Sequence, residues 1–141
     1  MLEPDFRSQQ TILIETSRGS FVKRNEKGQI DYVSPLPCPF HYGCLPGLDG
    51  GDGDPLDAIW FGPTPVNDRV KGIVIGVVRF RDKGAVDDKW VLTNGRALTR
   101  TEIWSLQNFF RGYATLKNLL ELVTDRAMNS ELVNIELWHN S

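Results

Sequence analysis

Three carboxylates fall within six residues at Asp52-Gly53-Asp54-Pro55-Leu56-Asp57, and Asp49-Gly50-Gly51 runs directly into them. At about 5 Å and an effective dielectric of about 20, each like-charged pair costs roughly 3 kcal/mol. A fold that keeps this loop must set positive charge against it. Carboxylate oxygens suit hard divalent cations such as Mg2+ and Mn2+. Taken alone, the loop is equally compatible with turn chemistry, because Asp in a Gly/Pro-rich segment bonds its own backbone. A calcium loop is excluded, since the required Asp spacing and terminal Glu are missing.

The rest of the chain limits what that loop can serve. With 141 residues it predicts one domain, 1–141, large enough for a hydrophobic core. Net charge is −2 and no basic run occurs, so nothing points to nucleic acid or an anionic membrane as partner. No apolar stretch reaches the ~20 residues of a membrane span, and Met1–Gln10 lacks a signal-peptide core. The expected location is cytoplasmic. Cys38 and Cys44 lie six positions apart with no Cys/His pair at zinc spacing, which predicts two reduced thiols.

Strands come first and a helix last. Thr11–Glu15 alternates apolar and polar, and Gly19–Lys23 follows a short turn, which predicts a hairpin, with Ile30–Val33 as a third strand. Ser34–Gly47 carries four prolines and is expected to be a long functional loop. Ala58–Phe61, the β-branched run Val70–Phe80 and Lys89–Leu92 predict further strands, with bends or bulges at Gly72 and Gly76. From Thr101, a candidate N-cap, apolar residues recur at helical spacing to Val123, as one helix or two in tandem around Gly112. Glu131–Trp138 is compatible with a strand or a short helix. The order implies an α+β domain, a small barrel with helix packed against it.

Asp82 and Asp87-Asp88 form a second acidic cluster after the long strand, and Glu15 ends the first. If the barrel gathers these strand ends, the carboxylates exceed the needs of one cation. They suit two or more metals that bind a polyanion and ready a water for attack. Lys23, Lys89 and Tyr113 then become candidates for the phosphate-like oxygens. By periodicity Tyr113 lies within the helix's apolar series, which by default makes it a core residue. Taken alone, Asp82 to Asp88 reads more readily as a solvated turn than as a ligand set, and His41 and His139 have no visible catalytic partner.

At this point several ordered segments resemble one family. Asp52-Gly53-Asp54-Pro55-Leu56-Asp57, followed by an apolar strand and Gly62-Pro63, is similar to the signature of the soluble family I inorganic pyrophosphatases. Ile14-Glu15 with Gly19-Ser20 and Lys23 resembles their first hairpin. Pro39-Phe40-His41-Tyr42-Gly43 resembles their Tyr-Pro-x-x-Tyr-Gly segment. Asp82, Asp87 and Lys89 keep the spacing of their second acidic cluster, and Phe109-Phe110-Arg111-Gly112-Tyr113 resembles their Phe-Phe-x-x-Tyr-Lys motif. The resemblance implies a five-stranded OB-like β-barrel with a C-terminal helix, Mg2+ as cofactor, and hydrolysis of pyrophosphate. It also implies a homo-oligomer. Position by position, it implies Asp52, Asp57 and Asp87 as ligands of activating metals, and Glu15 and Asp82 as ligands of metals arriving with substrate. Asp54 would be the catalytic proton acceptor. Lys23, Tyr42 and Tyr113 would bind phosphate oxygens, and Lys89 would support the metal cluster and product phosphate.

The chain also departs from the family. Asp31-Tyr32 stands where the family has Asp-Arg, Lys23-Arg24-Asn25 where it has Lys-Tyr-Glu, and Cys38 for the first Tyr of the Tyr-Pro segment. Ala114 replaces the lysine after Tyr113. Arg18, Arg24, Arg111 and Lys117 are candidates to restore the lost charge. Two alternatives therefore stand beside a pyrophosphatase: a metal- and phosphate-binding relative with impaired catalysis, and a hydrolase of another phosphoanhydride or phosphate ester.

Overall fold

The structure, a computed structural model, describes residues 9–16, 22–24, 30–33, 39–49, 55–65, 67–82, 84–123 and 131–138. The strands are β1 (Gln9–Thr16), β2 (Val22–Arg24), β3 (Ile30–Val33), β4 (His41–Asp49) and β5 (Pro55–Phe61). They continue with β6 (Arg69–Asp82), β7 (Ala85–Val86) and β8 (Lys89–Thr93), then helix α1 (Arg100–Val123) and β9 (Glu131–Leu137).

The β-branched run of β6 organises the sheet. Its first residues pair with β1, its middle with β8, and its far end with β9 and β7. The order β1-β4-β5-β8-β6 returns to β1 through the β1–β6 pairing, which closes a five-stranded OB-like barrel. β5 and β8 run parallel, while the other pairings are antiparallel. Strand alternation divides the side chains between two cores. Ile12, Leu56, Trp60, Val77, Trp90 and Leu92 fill one, the barrel interior. Phe40, Ile59, Val78, Phe80 and Val91 form the other with Leu106, Phe110 and Ala114 of α1.

Several expectations are corrected. Among the described residues β2 pairs with β3, and β1 pairs with β4 and β6; most of the expected second strand, Gly19–Lys23, lies outside them. The expected loop Ser34–Gly47 contains most of β4. Three of its four prolines precede His41, and Pro46 sits where the β4–β5 register slips between Leu45 and Asp49. A bulge tolerates a residue with no N–H to give the ladder. Gly43 has the opposite constraint: a Cβ there would sit 1.8 Å from the Leu13 carbonyl oxygen. α1 runs unbroken through Gly112, and Glu131–Leu137 is a strand because β6 offers it an open edge. No helix among the described residues is long and apolar enough to cross a membrane.

The helix start also differs from the expected Thr101 cap. Thr99 Oγ1 accepts the Glu102 N–H at 3.1 Å, and Glu102 Oε1 accepts the Thr99 N–H at 2.9 Å. This reciprocal capping box satisfies two otherwise orphaned donors. Arg96 closes on Glu102 with a two-pronged guanidinium contact at 2.7 and 2.8 Å. Those bonds hold the Glu102 carboxyl below its ordinary value of 4.5.

Thr99→Ala should therefore remove about 1 kcal/mol and lower the melting midpoint by about 3–5 °C. A depressed carboxyl contributes stability that is complete above its unfolded value and lost as pH falls through the folded one. The difference in melting temperature between wild type and Glu102→Gln should then be widest at neutral pH and shrink below about pH 4. A gap that is constant from pH 7 to 3 would contradict the assignment.

Candidate active site

Register alone carries the first charged contact. Asp57 of β5 lies opposite Lys89 of β8, and Lys89 in turn lies opposite Val78 of β6. Asp57 shares the face of Ile59 and Phe61, and Lys89 that of Val91, so both belong to the side covered by α1. Here the charged positions take over where the apolar rows end.

Lys89 is buried, and its ammonium reaches Asp57 Oδ2 at 2.7 Å and Asp87 Oδ2 at 2.8 Å. Its Nζ also stands 5.8 Å from the centre of the Tyr42 ring and 5.7 Å from that of Phe80, within range for cation–π attraction. Burial works against the charged form of Lys89, but Asp57 and then Asp87 outweigh it and push its pKa up. Asp87 shows the reverse balance. Burial raises its pKa, the Lys89 charge pulls it down, and the neighbouring Asp57 raises it again, leaving the net shift upward. One ammonium does not fully compensate two partly buried carboxylates.

The hairpin from β6 to β8 carries the rest. Phe80 accepts the Asp87 N–H on its carbonyl at 2.8 Å, which fixes Asp87 beside the barrel. Asp82, at the end of β6, accepts Lys117 Nζ of α1 at 2.7 Å. Lys117 Nζ lies 5.6 Å from the centre of the Tyr113 ring, and Tyr113 packs on Phe80 with centroids 6.0 Å apart. Lys89, Phe80, Tyr113 and Lys117 therefore link the two acidic positions along one continuous wall.

Of the residues singled out in the sequence, Tyr42, Asp57, Asp87 and Lys89 meet directly, with Asp82 and Tyr113 joined through Phe80 and Lys117. Glu15 lies near the end of β1, at the register irregularity just before Thr16 pairs with Tyr42. Lys23 is the register partner of Tyr32, the position where the resembling family has arginine. Asp52 and Asp54 lie outside the described residues, and no group of three metal-ligating side chains is gathered among those described. Cys44 is buried in β4, while Cys38 and His139 lie outside the described residues.

Sequence reasoning missed two participants. Phe80 reads as an ordinary core aromatic, and its place beside Lys89 follows from β6 pairing with β8. Arg79 contacts Asp88 at 2.7 Å and Glu136 at 2.8 Å, and its guanidinium carbon lies 5.7 Å from the Trp90 ring centre. It ties β9 to the hairpin and holds Asp88, whose other oxygen accepts the Phe80 N–H at 3.3 Å. Only the opposite charges at these positions hinted at it, and the pairing of β9 was needed to see it.

A family model described as inorganic pyrophosphatase matches residues 12–137. The chain belongs to the inorganic pyrophosphatase family. It is 41% identical over 79 residues to an inorganic pyrophosphatase of Corynebacterium efficiens. That match covers 52% of this chain and spans half the length of the relative. The inorganic pyrophosphatase of Thermus thermophilus superposes with TM-score 0.72 at 23% identity, covering 92% of this chain and 82% of that one. The Coxiella burnetii protein gives 0.72 at 20% identity, covering 94% and 88%. At those identities the two structures establish the fold, and the family rests on the sequence match.

Within this family member, Lys89→Met should leave Asp57 and Asp87 uncompensated and lower stability by about 3–5 kcal/mol. Adding Asp87→Asn should recover a large part of the loss. Urea unfolding at pH 7 measures both, and a Lys89→Met midpoint equal to wild type would refute the central role given to this ammonium.

Proposed function

We propose that this chain hydrolyses inorganic pyrophosphate to two orthophosphates with Mg2+ as cofactor. The observation that carries the reading is the buried Lys89 ammonium held between Asp57 and Asp87, ringed by Tyr42 and Phe80. Membership of the family supports it.

The donor set fits divalent cations. It is built of carboxylate oxygens, and two carboxylates, Asp57 and Asp87, share the single ammonium of Lys89. Asp52, Asp57 and Asp87, with Glu15 and Asp82, would hold them. When bound, Mg2+ supplies positive charge that makes a nearby water more acidic and offsets charge on phosphate oxygens.

This chain's residues then divide the work. Asp54 takes a proton from the attacking water, whose oxygen bonds to one phosphorus as the bridging oxygen leaves with the other phosphate. Lys23, Tyr42 and Tyr113 hold phosphate oxygens and align the substrate for in-line attack. Lys89 keeps Asp57 and Asp87 in position and adds fixed positive charge to a partly buried site.

The test is release of orthophosphate from pyrophosphate with Mg2+ and with excess chelator, beside a panel of other phosphoanhydrides and phosphate esters. Pyrophosphate should be the preferred substrate, and the chelator should abolish turnover. Asp54→Asn and Asp57→Asn should each lower kcat by at least about 10²-fold while circular dichroism stays unchanged. Full activity in both variants would defeat the proposal.

A further inference from the structure

The helix presents two adjacent stripes to the sheet, and they differ in what they can do. Leu106, Phe110 and Ala114 recur at four-residue spacing and are buried in the core between helix and barrel. Phe109, Tyr113 and Lys117 recur at the same spacing one position earlier or three later. Phe109 and Tyr113 stack with centroids 5.9 Å apart, and Lys117 continues that line over the Tyr113 ring to Asp82. Ala114 is buried among apolar side chains and carries no charge. Lys117, one turn beyond Tyr113, reaches an acidic residue directly.

The two lysines at the pocket are held differently. Lys89 is enclosed and carries two carboxylates, with a side chain 6% exposed. Among the described residues Lys117 has one carboxylate partner, Asp82, and its side chain keeps 22% of its exposure. An ammonium with one partner and open solvent access can exchange that partner for another anion. Arg111, on the same helix, is exposed and lies off the Phe109-Tyr113-Lys117 line.

We propose that Lys117 is a phosphate-binding residue of this site, releasing Asp82 when a cation takes that carboxylate and transferring its ammonium to a phosphate oxygen. Tyr113 aims it, because the ring beneath Nζ restricts where the flexible side chain can reach. The assignment rests on the pyrophosphatase reading above. It identifies the helix position that gives this chain positive charge on the substrate side.

The experiment measures orthophosphate binding by titration calorimetry in saturating Mg2+, Mg2+ binding alone, and KM and kcat for pyrophosphate. Wild type is compared with Lys117→Met, Lys117→Gln and Lys117→Arg. Losing a charge-assisted bond should weaken orthophosphate binding about tenfold or more in the Met and Gln variants, with KM rising alongside. Lys117→Arg should retain most of the affinity. Mg2+ should bind as tightly as in wild type or tighter, because Asp82 has lost its competitor.

Orthophosphate affinity and KM within about twofold of wild type in a folded Met or Gln variant would overturn the proposal. Parallel loss of Mg2+ and orthophosphate binding would also overturn it, since Lys117 would then only order Asp82. If Lys117→Met does not fold, Lys117→Gln, which keeps a donor for Asp82, gives the same reading. Wild type that binds orthophosphate but does not hydrolyse pyrophosphate would refute the proposed reaction, and the Lys117 comparison would still stand or fall on the calorimetry.

Discussion

A buried ammonium between two carboxylates is the constraint around which this fold is arranged. Lys89 opens β8, Asp57 lies in β5, and Asp87 ends the connection from β6. None of the three can be placed without the other strands in register, so the contact ties barrel closure to site formation. Desolvating three charges costs several kcal/mol per ion, and good geometry is what offsets it. The aromatic faces of Tyr42 and Phe80 help, because they accept the cation without adding another negative charge. Two carboxylates against one ammonium leave an excess of negative charge, which is the electrostatic basis of the proposal that cations bind here.

The alternation of β5 and β8 turns that constraint into a site rather than a buried defect. Ala58 and Trp60, with Trp90 and Leu92, fill the barrel, while Asp57, Ile59, Lys89 and Val91 face the helix side. An apolar row seals the inner part of that face and a charged row occupies its end. Phe40, Phe109, Phe110 and Phe80 form the wall between them, with neighbouring centroids 5.1 to 6.0 Å apart. Rigid aromatic packing holds the hairpin of β6 and β8 against α1, so Asp82 and Asp87 are positioned from both sides.

Much of this was legible in the chain because it is written in local patterns. The β-branched run of β6, the amphipathic period of α1 and the spacing of Asp82, Asp87 and Lys89 each have a short-range signature. The misses share a different cause. His41–Asp49 looked irregular because proline was read as an interruption, whereas Pro46 falls at a bulge where the ladder is already broken. Glu102 was visible, but pairing it with Thr99 required placing the helix start one residue beyond the threonine. β9 was ambiguous because its seven residues become a strand through the edge that β6 offers. Phe80 and Arg79 acquired their roles only through cross-strand pairing, which no local window contains.

Helix phase explains why the loss of a lysine at position 114 need not empty the site of positive charge. Successive residues on a helix are separated by about 100°, so a side chain directly after Tyr113 faces a different neighbour from Tyr113 itself. In this chain that neighbour is the apolar core, and alanine is suited to it. A residue four places after Tyr113 returns to nearly the same direction, one turn further along. Lys117 therefore reaches Asp82 with no change in the packing of Leu106, Phe110 or Ala114. Phe109 and Tyr113 belong to both the core and the charged stripe, packing against the core while carrying the line on to Lys117.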